Sequence, residues 1–289
     1  MSLPINPGAT TASGVSLSVA YVSWITSGGP VEPLIAMDVI PVYPENHGAL
    51  CGAKKMGPEL CAEAEEHGYH QDLCSYARID LGHYFSGKTP VGKLPKPDLL
   101  FASNNICQTV TYWYKALSHY LKIPLILFDT PYNFREITDT DITYMVRQFE
   151  EMMPVLEQVS GRQFNYRKLQ ETICLAKDAS TTWGAVLATM KARPAPMTIF
   201  DAFGHMVPIV SLRGLPSALE YYRTLLAEHH DPLVALREPG EHLDRHLGGR
   251  GQVGARPHLS ASPPADPAIE LVGSQPGHPF SRGAFAQAP

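Results

Sequence analysis

Four short apolar runs, spaced by stretches long enough to hold a helix, constrain this fold more than any other feature of the chain. Residues 18–24 (SVAYVSW), 39–43 (VIPVY), 98–102 (DLLFA) and 124–128 (PLILF) are rich in β-branched, aromatic and aliphatic side chains and too short for a buried helix, so each is expected to be a strand. The run at 98–102 is apolar almost throughout, as a strand covered on both faces requires. Helices are expected at 32–37, 59–66, 106–121, about 139–159, 165–176, 180–191 and 218–227. Pro30 suits a first helical turn, Gly68 a helix end, Asp139 or Thr140 a cap, and Asp141 the positive end of a helix dipole. Strands alternating with helices imply an α/β protein, a parallel sheet covered by helices.

In such sheets ligands bind beyond the carboxyl ends of the strands. Segments 43–51, 103–107 and 129–133 occupy those positions. No G-x-G-x-x-G follows the first strand and no Walker loop occurs, so a nucleotide fingerprint is absent. The 289 residues are 44% hydrophobic, enough for one large domain or two of ordinary size. A formal net charge of −5 without a Lys/Arg cluster argues against a nucleic-acid surface. No run approaches the ~18 apolar residues of a membrane span. Residues 1–20 have neither a basic nor an apolar block, so a cytoplasmic protein is expected. Five cysteines, an odd number, fit free thiols, metal ligands or core positions better than a disulfide framework.

The chain changes character near residue 230. Residues 231–289 hold nine Pro and eight Gly but no Lys, Tyr, Trp, Cys, Met, Asn or Thr, and hydrophobic periodicity stops. Two explanations stand: a disordered tail that cannot bury enough surface to order itself, or a reading-frame shift in a GC-rich gene, whose codons favour Pro, Gly, Ala and Arg. The helix at 218–227 ends without a cap, which favours the frame shift.

Cys51 follows the second strand in PENHGALC (44–51), and Cys74 lies in DLCSYAR (72–78) after the next helix. On their own, two such cysteines suit small buried hydrophobes as readily as a metal pair. Their surroundings carry more. The segments PVYPENHGALC (41–51), DLCSYAR (72–78), ASNNIC (102–107) and IPLILFDTPYN (123–133) resemble, in this order and spacing, the subunits of 2-hydroxyacyl-CoA dehydratases and benzoyl-CoA reductases. The type resembled is the 2-hydroxyglutaryl-CoA dehydratase D-component, and the resemblance runs from about residue 20 to residue 227.

That resemblance implies two flavodoxin-like (Rossmann-like) α/β subdomains per subunit, paired with a sister subunit of the same family. It further implies a [4Fe–4S] cluster held by three cysteines, of which Cys51 and Cys74 match the first two. Thiolates suit such clusters as soft donors. The third ligand would come from the second subdomain, which the chain is expected to lack in complete form. The expected organisation is a flexible N-terminus (1–15), an α/β subdomain with the cluster cysteines (16–135), a helical segment leading to a truncated second subdomain (136–228), and the Pro/Gly-rich tail (229–289).

The implied chemistry is a ketyl-radical dehydration. One electron added to the thioester carbonyl of an (R)-2-hydroxyacyl-CoA expels the α-hydroxyl, acidifies the β-proton and is afterwards returned. An ATP-dependent iron–sulfur activator protein supplies it. The alternatives are benzoyl-CoA reductase, which injects an electron into the ring, and an inactive truncated remnant; this chain alone is expected to be inactive.

Around the cluster cysteines, Glu45 is a candidate base and Asn46 a candidate donor to the thioester carbonyl. His47 is a candidate thioester donor or proton shuttle if its pKa lies near neutrality, with hydrogen bonding in a turn as the equal alternative. Asn104 and Asn105 are expected to cap the next helix or else to polarise a ligand. Asp129, Tyr132 and Asn133 form a polar cluster at a strand end, otherwise turn formers around Pro131. Cys61 reads as a plain helix residue, Cys107 as a buried helix-start cysteine and Cys174 as core. Tyr112, Trp113, Tyr114 and Tyr120 read as core and subunit interface.

Overall fold

The computed structural model describes residues 20–92, 94–132 and 136–230. The expected flexible residues 1–15, the tail from 231 onward and Asn133 lie outside these residues. Four strands form one parallel sheet: β1 (Tyr21–Ile25), β2 (Val39–Val42), β3 (Leu99–Ser103) and β4 (Leu125–Phe128), in the order β2-β1-β3-β4. Tyr21 lies opposite Val39, Ser23 opposite Leu99, and Leu100 opposite Leu125. The expected α/β parallel sheet is therefore present. Its order reverses between β1 and β3, and the crevice beyond their carboxyl ends is where such sheets bind ligands.

β3 is buried along its whole length, and its side chains alternate between two cores. Leu99 and Phe101 pack with Ile25, Leu34, Phe128 and Leu156 on one face. Leu100 and Ala102 pack with Trp24, Trp113, Tyr114 and Leu117 on the other. This two-sided burial is why residues 98–102 lack the alternation of a half-exposed strand.

Helices α1 (Glu32–Ala36), α2 (Pro44–Ala53), α3 (Gly57–Glu66), α4 (Ser75–Ser86) and α5 (Gln108–Leu121) surround the sheet. Pro33, not Pro30, takes the first turn of α1. α4 has no counterpart among the expected helices. Its residues Ala77, Ile79, Asp80, Leu81 and Gly82 are all buried, so it has no single apolar stripe to read. Gly82 lets α4 meet α3: a Cβ there would lie 1.9 Å from the carbonyl oxygen of Leu60.

A helical layer follows: α6 (Asp139–Ser160), α7 (Tyr166–Thr189), α8 (Ile199–His205), α9 (Val207–Ser211) and α10 (Pro216–His230). Thr138, rather than Asp139 or Thr140, caps α6, and it forms a capping box with Asp141. α7 is one helix where the pattern suggested a break between 176 and 180. The polar Ser180-Thr181-Thr182 step interrupts the apolar period, yet Thr182 Oγ1 donates to the Asp178 carbonyl and stays in the helix. Ala179, Val186, Tyr222 and Leu225 build a third apolar core between α7 and α10. No helix among the described residues is long and apolar enough to cross a membrane.

Candidate functional site

The crevice between β1 and β3 is laced by polar groups. Just past β1, Thr26 donates its N–H to the Phe101 carbonyl (3.1 Å), and its Oγ1 accepts from Ser103 N–H (3.2 Å). Asn105 Nδ2 donates to the Gly28 carbonyl at 3.2 Å. The approach is close: a Cβ on Gly28 would sit 3.2 Å from the Ile106 side chain, so glycine suits this position.

Segment 43–51 is not the strand-end loop the sequence suggested. Pro44, with its fixed φ, starts α2 there, so Glu45, Asn46, His47 and Cys51 are helical. Glu45 reaches back across the crevice. Its Oε2 accepts from both the N–H and the hydroxyl of Ser27, each at 3.0 Å. Burial raises the pKa of this carboxylate, and the Ser27 hydrogen bonds oppose the rise. Asn46 Nδ2 donates to Ser211 Oγ at 3.0 Å. Arg213 donates from Nη2 to the Gly29 carbonyl (2.7 Å) and from Nε to Glu32 (2.9 Å), which holds the end of α9 and the turn after it against the crevice. Tyr43, at the foot of α2, is buried with its hydroxyl pushed up to about 12 by desolvation.

His47 and Cys51 lie one turn apart on α2. His47 is buried, with Nε2 2.9 Å from Thr89 Oγ1 and 3.5 Å from Cys51 Sγ, and its ring packs 4.8 Å from that of His83. Desolvation first and His83 second push its pKa down to about 4, so it is neutral at pH 7 rather than poised near neutrality. It is also no turn residue. In the same layer lies Asp80, fully buried, whose Oδ2 accepts from Trp113 Nε1 at 2.8 Å. Burial pushes its pKa up to about 7.

Cys51 is fully buried against Leu60 and Ile79, and burial and the Asp80 carboxyl raise its thiol pKa. Cys74 is exposed at the N-cap of α4. Cys61 packs beside the Cys51 cluster, its thiol raised by burial, lowered by Arg78 and raised again by Glu65 and Cys74. Among the described residues no three His, Cys, Asp or Glu side chains are grouped so as to hold a metal ion. Cys51 and Cys74 therefore do not make up a cluster-ligand set by themselves. The two remaining cysteines correct expectation: Cys107, the N-cap of α5, and Cys174 on α7 are both exposed.

At the ends of β3 and β4 a second network forms. Asn104 Oδ1 accepts from the N–H (2.8 Å) and hydroxyl (2.7 Å) of Thr130, and its Nδ2 donates to Asp129. Tyr144 donates to the other Asp129 oxygen at 2.6 Å. Neither Asn104 nor Asn105 caps α5, because extended Cys107 intervenes and the two side chains are used across the crevice instead. Tyr132, at the end of the same segment, is 93% exposed. Of the aromatic set on α5, Trp113 and Tyr114 are core while Tyr112 is exposed. The structure thus gathers Glu45, Asn46, Asn104, Asn105 and Asp129 beyond the carboxyl ends of the strands. Ser27, Ser211 and Arg213 were not foreseen. Only Ser27 had a readable signal, a small hydroxyl followed by Gly28-Gly29 directly after the first strand.

Residues 26–272 match the family described as 2-hydroxyglutaryl-CoA dehydratase, D-component. The chain is 38% identical over 212 residues to the (R)-2-hydroxyisocaproyl-CoA dehydratase alpha subunit of Clostridioides difficile, covering 73% of this chain and 52% of that protein. It is 33% identical over 211 residues to the (R)-phenyllactyl-CoA dehydratase alpha subunit of Clostridium sporogenes, with coverages of 73% and 52%. It is 32% identical over 213 residues to a benzoyl-CoA reductase subunit of Thauera aromatica, with coverages of 72% and 49%. The chain spans about half the length of the curated relatives it matches.

Proposed function

Because this chain belongs to the 2-hydroxyglutaryl-CoA dehydratase D-component family, we propose that it serves as a subunit of a dehydratase that removes water from an (R)-2-hydroxyacyl-CoA. The observation that carries this reading is the Ser27–Glu45 pair. A half-buried carboxylate with a raised pKa, held by a hydroxyl at the mouth of the β1–β3 crevice, suits an acid–base group that accepts a proton and returns it. Asn46, bonded to Ser211 Oγ, and Asn105, bonded to the Gly28 carbonyl, are the proposed groups that orient the thioester. Neutral His47 donates or accepts one hydrogen bond without charge.

Cys51 and Cys74 are proposed as this chain's thiolate donors toward a [4Fe–4S] cluster, which when bound would supply low-potential electron transfer. The described residues do not complete that ligand set, so a further donor would have to come from elsewhere. A sister subunit and an ATP-dependent iron–sulfur activator complete the proposed system. The relative named as a benzoyl-CoA reductase subunit supports a second reading, ATP-dependent reduction of an aromatic thioester.

The test is anaerobic co-expression with a sister subunit and addition of activator, ATP and reductant. Enoyl-CoA formation from (R)-2-hydroxyacyl-CoA is expected; loss of benzoyl-CoA without dehydration selects the reductase. Iron content and the brown charge-transfer band should fall in Cys51→Ser and Cys74→Ser and persist in Cys174→Ser. Equal iron in all three variants would remove the ligand assignment.

A further inference from the structure

Ser27 meets Glu45 from a piece of backbone that is soft by sequence. Residues 26–29 form a β-turn, closed by the Gly29 N–H donating to the Thr26 carbonyl at 2.8 Å. That closing bond leaves the N–H of the second residue free. Ser27 directs both this N–H and its hydroxyl at Glu45 Oε2, each at 3.0 Å. Two glycines follow Ser27, the residue type that loses most freedom on ordering, and then Pro30, which has no N–H to tie down.

Two long-range bonds hold this turn in place. Asn105 Nδ2 donates to the Gly28 carbonyl at 3.2 Å, and Arg213 Nη2 donates to the Gly29 carbonyl at 2.7 Å. The second is the shorter, and its donor is charged. The same guanidinium gives its Nε to Glu32, at 2.9 Å, in the first turn of α1. One side chain thus grips both ends of the link from residue 29 to residue 32. With side-chain exposures of 23% and 16%, Arg213 and Glu32 are shielded from the solvent that weakens surface pairs.

Arg213 is itself seated firmly. Its neighbour Gly214 has a φ of +85°, and a Cβ there would lie 2.7 Å from the Thr172 side chain on α7 and 3.2 Å from that of Ile35 on α1. Two residues before Arg213, Ser211 accepts from Asn46, the neighbour of Glu45. The turn after α9 is therefore fixed against α1, α2 and α7.

Resting on the reading of Glu45 as an acid–base group, we propose that Arg213 is the positioning residue of the Ser27–Glu45 pair: through the Gly29 carbonyl it fixes the turn that aims both Ser27 donors at the carboxylate. A residue of the helical layer thereby completes a site built on the sheet.

Amide hydrogen exchange and side-chain carboxyl resonances, followed by NMR in the 289-residue chain, test this without any turnover. Arg213→Gln should speed exchange of the Ser27 and Gly29 amides about tenfold, the scale of one hydrogen bond to a charged group. The Asp98 and Leu100 amides, bonded to the Val22 and Pro124 carbonyls, should keep their protection and so report on the fold. Burial raises the Glu45 pKa and the Ser27 bonds oppose the rise, so a loosened turn should move the Glu45 titration to higher pH. The Glu45 resonance is the one missing from Glu45→Gln. Tyr43, Asp80 and Tyr114, which feel the same charge, are common to the compared proteins. Asn105→Ala loosens the same turn without altering a charge, and should move amides and titration in the same direction but less far. Unchanged Ser27 and Gly29 amides in Arg213→Gln, or exchange raised equally at Asp98 and Leu100, would overturn the proposal. A Glu45 titration that moves in the arginine variant alone would overturn it too, since the guanidinium would then act by its charge. So would a titration that stays put while the turn loosens. None of these results touches the dehydratase reading, which falls on absence of dehydration, a result that would leave the amides as they are.

Discussion

Helices α1, α2 and α5, which follow β1, β2 and β3, begin without a side-chain hydrogen bond at their caps, whereas α6, α7 and α8 begin with Thr138, Asn165 and Thr198 accepting from the first turn. α3 and α4, packed beside the sheet, resemble the first group. Three helices of the helical layer thus close their starts locally, while the short α9 begins without a side-chain cap bond. The sheet layer relies on groups distant in sequence: Ser27 against Glu45, Asp98 against Val22 N–H, Asp80 against Trp113. A region whose polar groups are satisfied from afar can hold side chains in fixed relation around a crevice. It should also be less tolerant of substitution than a layer of locally closed helices.

The severest test of that difference is Gly82→Val. The nearest atoms to a Cβ at Gly82 are backbone atoms of Leu60, at 1.9 and 2.7 Å, which cannot rotate away. α3 and α4 must separate, and a loss of more than about 3 kcal/mol is expected from overpacking of this kind. Urea unfolding should show it, with Gly82→Ala close behind. A Gly82→Ala protein within about 1 kcal/mol of its parent would mean that the two helices are not held in close register.

Asp80→Asn probes the same layer through pH. Burial raises the folded-state pKa to about 7 from 3.8, so the folded protein holds this proton more tightly than the unfolded chain. The stabilisation is fully present below about pH 4 and is lost as pH rises through about 7. The amide of the variant cannot titrate. The stability difference between variant and parent should therefore shift in favour of the variant from about pH 5 to pH 8, by on the order of 2 kcal/mol. His47, whose pKa is depressed to about 4, loses stability in the opposite direction as pH falls from 6.5, but it is common to both proteins and cancels in the comparison. Parallel curves for the two proteins would show that Asp80 is ionised in the fold.

The contrast also explains what could be read from the sequence. Strands betray themselves when both faces are covered, and 98–102 did so. Glu45, Asn46, Asn105 and Asp129 were legible because strand ends are where such sheets place polar groups. α4 was not, since a helix buried on several sides loses its period. Nor was Arg213, 184 residues from the Gly29 carbonyl it binds: a contact over that separation leaves no local pattern. His47 does not have the character expected of it, because its pKa is lowered by burial and then by His83 on α4, whose packing no local rule predicts.

In the helical layer single substitutions should cost less. Thr138→Ala removes the hydroxyl that accepts from Asp141 N–H and donates to the Asp141 carboxylate, while the backbone N–H of residue 138 still donates to that carboxylate. Thr198→Ala does the same to Asp201. Each should lower stability by about 1 kcal/mol, and Thr→Ser at either position should restore most of it. Cys107→Ala at the uncapped start of α5 should change stability by less than about 0.5 kcal/mol, as expected of an exposed side chain away from such features. A loss there as large as at Thr138 would erase the distinction between the two groups of helices.

One further effect of modest size has the opposite sign. Gly184 lies inside α7, exposed, and a Cβ added there would meet nothing within 4 Å. Glycine in a helix interior costs the folded state because the unfolded chain gives up more freedom on ordering it. Gly184→Ala should therefore stabilise the protein by about 0.5–1 kcal/mol, through the unfolded state alone. It is the same chemical change as Gly82→Ala, one added methyl group on a helix, and the sign should reverse between the buried position and the open one. Thermal midpoints of the two variants measured side by side decide the matter. If Gly184→Ala also destabilises, the outer face of α7 is covered in solution by something the described residues do not include, and the helical layer is not the self-sufficient one its caps suggest.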